Sequence, residues 1–150
     1  NVMFWLDFLV FLFACMAAGL TGSLFPPGKW YSELNKPVWT PPNWVFPVAW
    51  PILYLLMSYS GATLANLESA GSALALWALQ ISLNTLWTPV FFGLKNLKLG
   101  LIIIFLLLVS VAICTYVFWL YAWISGLLFL PYLAWVIFAA ALNAAVFKLN

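Results

Sequence analysis

"ALWALQISLNTLWTPVFF", Ala75 to Phe92, is the stretch whose reading decides the fold. With Ala73 and Leu74 before it, the run Ala73–Phe92 is long enough to cross a bilayer, whose hydrocarbon core of about 30 Å needs roughly 20 residues of helix. Yet Gln80, Asn84 and Thr88 recur four residues apart on a stripe shared with Trp77 and Trp87. Amides facing lipid find no partners, so this stripe has to face other protein. The segment therefore reads as a spanning helix turned toward the interior of a bundle. Pro89, having no N–H, frees the carbonyl of Thr85 near its end. Interhelical hydrogen bonds acting only as glue are one use for such a stripe. Polar groups that orient a ligand are the other.

The rest of the chain agrees with a membrane setting. Of 150 residues, 67% are hydrophobic and 5% charged, and the mean hydropathy is +1.12. Soluble domains run at about 45–50% apolar and 25% charged. Similar runs flank the third one at Val2–Leu24, Phe46–Ala65, Leu99–Trp119 and Gly126–Phe147, which gives an all-α integral membrane bundle of five transmembrane helices. Residues 1–150 form one domain, with a long first loop over about 25–45 capping the bundle. The first run has Asp7 and no Lys or Arg ahead of its apolar stretch, so it reads as a retained helix and not as a secretory leader. Its small residues Ala14, Ala18 and Gly22, beside Cys15 and Gly19, allow close approach of another helix, either within the chain or across a dimer.

Charge sets the topology. Alternating spans put Lys29, Lys36, Lys95, Lys98 and Lys148 on one side and Asp7 and Glu68 on the other. By the positive-inside rule the first loop, third loop and C-terminus are cytoplasmic. A net charge of +2 is too small to imply nucleic acid. The absence of histidine and arginine argues against a voltage sensor or a proton relay. Cys15 and Cys114 stand alone with no zinc-site spacing and read as packing residues, so no metal is expected.

The first loop concentrates rigid residues. Trp30, Tyr31, Trp39, Pro41, Pro42 and Trp44 make it preorganised, either as a lid or as an aromatic belt at headgroup depth. Pro47 and Pro51 then fall in the first turns of the second span, where missing N–H groups cost little. Along that span Trp50, Tyr54, Met57, Ser58 and Gly61 share a face, and in the last span Pro131, Tyr132, Trp135, Ala139, Leu142 and Asn143 do the same. Three helices thus each offer aromatics with a polar or small partner, the makings of an apolar pocket with a few orienting groups. Trp50 with Tyr54, Asn84 with Trp87, and Trp135 with Ala139 are its expected walls.

"WYSELNKPVWTPPNWVFPVAW" (30–50), "NTLWTPVFFG" (84–93), "PYLAW" (131–135) and the following "ALN" (141–143) resemble the translocator protein family, also called tryptophan-rich sensory proteins or peripheral benzodiazepine receptors. The resemblance covers essentially the whole chain. It implies a homodimeric membrane protein that binds porphyrins such as protoporphyrin IX, sterols, and synthetic isoquinoline carboxamide or benzodiazepine ligands. Carried over by motif, the ligand-binding residues are Trp39, Trp50, Tyr54, Asn84, Trp87, Trp135, Ala139 and Asn143. The function so implied is tetrapyrrole binding by a sensor or transporter, with no obligatory cofactor. One alternative is light-dependent porphyrin degradation using Trp50 and Trp135, although no triad or activated base supports ordinary enzyme catalysis. The other is cholesterol or lipid translocation.

Two departures from the family pattern bear on the ligand. "ALNAAVFKLN" (141–150) has Ala144 and Ala145 where the cholesterol-recognition motif has tyrosines, with Lys148 at its basic position. The tryptophan pair before the double proline is reduced to Val38 and Trp39. The first favours a bacterial-type role with tetrapyrroles over a mitochondrial outer-membrane role with sterol; the second removes one stacking surface from the lid. Without histidine, haem iron has no imidazole ligand, so binding would rest on stacking, with Lys29 and Lys36 the nearest partners for propionates.

Overall fold

In lipid the backbone has no water to bond, so apolar runs must satisfy their own N–H and C=O groups as helices. The computed structural model describes residues 2–150 and follows this rule. Its elements are α1 (Val2–Leu24), α2 (Gly28–Ser32), α3 (Val45–Ala65), α4 (Gly71–Thr88), a π-helical turn (Pro89–Gly93), α5 (Leu97–Tyr121) and α6 (Trp123–Leu149). The long helices pack in the cyclic order α1, α3, α6, α5, α4. The protein is all-α and passes the membrane several times.

Four helices, α1, α3, α5 and α6, are long and apolar enough to cross a bilayer. The third expected span is where sequence and structure differ. It is divided into α4, of 18 residues, and the π turn. Gln80, Ser82, Asn84, Thr85 and Thr88 make α4 the most polar of the long helices, and Gln80 and Asn84 are buried among its neighbours. Proline explains the division: Pro89 has no N–H for the α ladder, and Leu94 N closes a wider loop by donating to Pro89 O at 2.9 Å.

Contacts between connections fix the two ends of the bundle. At one end Asn35 N donates to Asn150 Oδ1 at 3.1 Å and Asn150 Nδ2 to Asn35 O at 2.9 Å, joining the first loop to the C-terminus. Tyr31 of α2 packs edge-on against Phe92, so the third connection lies there too. At the other end Asn66 Nδ2 donates to Asp7 Oδ2 at 3.1 Å. Ser60 and Ser125 exchange side-chain to backbone bonds at 3.1 and 3.3 Å, clasping α3 to α6. All five lysines therefore belong to the first end.

Close approach is made by small residues. Cys15 and Ala18 of α1 are buried, and a Cβ on Gly19 would lie 3.1 Å from the Tyr54 ring. The small face of α1 is thus used within the chain, against α3, while Val10, Phe13 and Leu20 point outward. Cys15 and Cys114 are fully buried and free, as packing residues. Ala122 alone, an extended residue, links α5 to α6.

Candidate ligand cavity

Between the helices, at the lysine-bearing end, lies a cavity of about 620 Å³. That is within the roughly 300–1,000 Å³ usual for ligand sites. Each of the five long helices lends it side chains. From α3 come Pro47, Trp50, Pro51 and Tyr54, spaced to share one face; from α4 come Asn84, Trp87 and Thr88; from α6, Ala139, Leu142 and Asn143. Ala18, Gly19 and Gly22 of α1 leave space where larger residues would fill it, and Ile104 and Leu107 of α5 form the floor.

Several walls are fixed by neighbours. Trp50 and Tyr54 pack as tilted rings 5.7 Å apart. Trp87 stacks on Phe91 at 4.8 Å and donates its Nε1 proton to Asn143 Oδ1 at 3.0 Å. Asn143 Nδ2 in turn donates to Leu97 O at 3.3 Å, so that amide is spent on holding Trp87. Asn84 Nδ2 donates to Tyr132 Oη at 2.8 Å, and Tyr132 donates to Gln80 Oε1 at 2.8 Å. The polar stripe of α4 thus both bonds to α6 and borders a cavity.

Of the residues singled out in the sequence, Trp50, Tyr54, Asn84, Trp87, Ala139 and Asn143 come together around this cavity. Trp39 and Trp135 are placed elsewhere. Trp39 is 46% exposed and packs edge-on against Phe138 at 5.7 Å. Trp135 stands behind Trp50, the rings nearly perpendicular at 6.2 Å, and lines a shallow outer groove between α3 and α6 with Ala49 and Ile52. Its Nε1 is buried without a partner. The loop tryptophans Trp39 and Trp44 are exposed, and the loop reaches the cavity through Pro27, Tyr31 and Asn43 instead.

No charged side chain lines the cavity among the described residues. Lys29 pairs with Glu33 at 3.8 Å on the surface. Lys36 Nζ donates to the carbonyls of Tyr31 at 2.9 Å and Leu34 at 3.2 Å, and lies 4.7 Å from the centre of the Tyr31 ring. It caps the end of α2. Burial pushes the Tyr31 phenol above its ordinary value, so that ring stays neutral beneath the ammonium. No group of three or more potential metal ligands exists among the described residues.

Sequence reading missed Phe91 and Phe92. Phe91 follows Trp87 by four residues and so continues its stripe, a signal present in the sequence. The wall from α1 was seen only as a helix-packing face.

The fold and the cavity define a class, a multi-pass helical membrane protein with an uncharged, aromatic-walled cavity near one end of its bundle. Residues 11–149 match the TspO/MBR family, and the chain belongs to it. It is 52% identical over 147 residues to Protein CrtK of Rhodobacter capsulatus, covering 95% of this chain and 92% of that one. It is 47% identical to a Tryptophan-rich sensory protein of Cereibacter sphaeroides, covering 99% and 94%. Identity to the human Translocator protein is 33%, covering 97% and 91%.

Proposed function

We propose that this chain is a membrane tetrapyrrole-binding protein, a sensor or transporter that holds a porphyrin such as protoporphyrin IX in the cavity beneath the first loop. The observation that carries this reading is the uncharged cavity of about 620 Å³ with Trp50, Tyr54, Trp87 and Phe91 in its walls. A flat aromatic macrocycle is held by ring faces and edges, each well-placed pair adding about 0.5–1.5 kcal/mol beyond burial. Ionised propionates cannot be buried unpaired. They belong at the mouth, on the end that carries the five lysines. The names of relatives, sensory protein and translocator protein, supply the choice between sensing and transport. In this reading α4 with its π turn is a fifth span, and the lysine-bearing end is cytoplasmic. Ala144 and Ala145 favour a tetrapyrrole in a bacterial membrane over a sterol.

Titration of the purified protein with protoporphyrin IX in the dark, followed by tryptophan fluorescence, tests the proposal. Saturable quenching is expected. Trp50→Leu should weaken it roughly fivefold to tenfold, the loss of about one aromatic contact, while Trp39→Phe should leave it unchanged. Unsaturable quenching, or equal loss in both variants, would overturn the reading.

A second reading, light-dependent porphyrin degradation, is favoured by the Trp50–Trp135 pair, which runs from the cavity to the outer groove. In it the excited porphyrin is oxidised by dioxygen beside electron-rich indoles. Illuminated in air, Trp135→Phe should bind porphyrin normally yet lose its bleaching. Bleaching no faster than that of free porphyrin in the wild type would dismiss this activity.

A further inference from the structure

Three polar side chains from α4 and α6 form a chain that ends at the cavity. A phenol has one proton to give. Tyr132 gives its proton to Gln80 Oε1 at 2.8 Å, which leaves the phenol oxygen as an acceptor for Asn84 Nδ2, also at 2.8 Å. The amide of Asn84 is thereby set with its NH₂ turned to the phenol. Its Oδ1 takes no hydrogen bond, and Asn84 borders the cavity at 8% exposure. Gln80 and Tyr132 are fully buried, so the two inner members of the chain are shielded from water. At its far end Gln80 Nε2 is buried with no partner.

The other deep polar groups do not compete with Asn84. Asn143 is spent on Trp87 and on Leu97. The Thr88 hydroxyl and the Tyr54 phenol also border the cavity, but each is both donor and acceptor, so neither discriminates between the two.

We propose that Asn84 is the specificity determinant of the cavity, held by the positioning residues Tyr132 and Gln80 so that it offers an acceptor to a neutral O–H or N–H donor on the buried edge of the ligand. This rests on the tetrapyrrole reading and sharpens it. The preferred porphyrin carries a hydroxyl-bearing substituent on the edge that enters first, and its carboxylates stay at the mouth. A buried acceptor facing an acceptor-only group is left unsatisfied, which is costlier than the bond itself is favourable.

The test compares a porphyrin bearing 1-hydroxyethyl groups with the same porphyrin O-methylated at those hydroxyls, with protoporphyrin IX as control. Both probes accept hydrogen bonds and only the first donates. In the wild type the hydroxyl form should bind about tenfold more tightly. In Asn84→Leu and Tyr132→Phe the ratio should fall toward one; Gln80→Met, which removes the acceptor of the Tyr132 proton, provides a second cut if Tyr132→Phe fails to fold. A purely structural role would weaken both probes alike and keep the ratio. Equal binding in the wild type, or a ratio that persists in the variants, overturns the proposal. So does tighter binding of the methyl ether, which an acceptor at Asn84 would not produce; a chain running in the opposite sense would present a donor, which both probes satisfy alike, and so belongs to the equal-binding outcome. If protoporphyrin IX binds while the ratio is flat, this inference alone fails; if no porphyrin binds, the tetrapyrrole reading fails with it.

Discussion

Gly126 shows how little room the single-residue link between α5 and α6 leaves. A Cβ there would lie 2.7 Å from Trp119 Cα and 2.8 Å from its backbone nitrogen, so the contact is with main chain, which cannot swing aside. Gly126→Ala is expected to cost about 1–3 kcal/mol, the usual penalty of overpacking, and to lower the thermal midpoint in detergent; an unchanged midpoint would mean that the link has slack. Gly61 offers a contrast, because its methyl would meet only the Phe11 ring, at 2.9 Å. Side-chain partnerships of this kind were not legible in the sequence. The spacing put Trp87 and Asn84 on one stripe, but not the bond from Trp87 to Asn143, a residue 56 positions away. Lys36 was equally opaque: its charge was visible, whereas its use on the carbonyls of Tyr31 and Leu34 depends on how the loop closes.

Among the elements, the π turn after α4 does most to shape the cavity. It carries Phe91 beneath Trp87 and Phe92 against Tyr31, so the lid contact of α2 depends on its register. Replacing Pro89 by alanine restores the missing N–H and permits ordinary α bonding, which would rotate Phe91 and Phe92 around the helix. Hydrogen exchange should then speed up several-fold in α2 while remaining slow in α5. Unchanged exchange in α2 would show that its anchoring lies elsewhere. The four more apolar spans were legible because length and hydropathy alone require a helix in lipid. Their ends shifted by up to three residues, as where Trp123 opens α6 ahead of the expected Gly126. The division of the third span was not legible, since a proline signals an interruption without saying which wider turn replaces the α ladder.

For the whole molecule, the five lysines gather at the end that holds the cavity. Single cysteines placed at Lys95 and at Lys148 should react with a membrane-impermeant maleimide in inside-out bacterial vesicles, and one at Glu68 only in right-side-out cells. Native Cys15 and Cys114 are buried and should stay silent. Labelling of all three positions from one side would break the alternation of spans. That alternation, the helical class and the inward turn of the α4 stripe were determined by the sequence, because burial in lipid penalises every unpaired polar group and rewards only helices of bilayer length. The closing of five helices into a ring around an uncharged cavity was decided by tertiary structure. So were the placing of Trp135 behind Trp50 and the direction of donation from Asn84 through Tyr132 to Gln80. Periodicity tells which residues share a face of one helix; only packing fixes which helix that face meets, and at what depth.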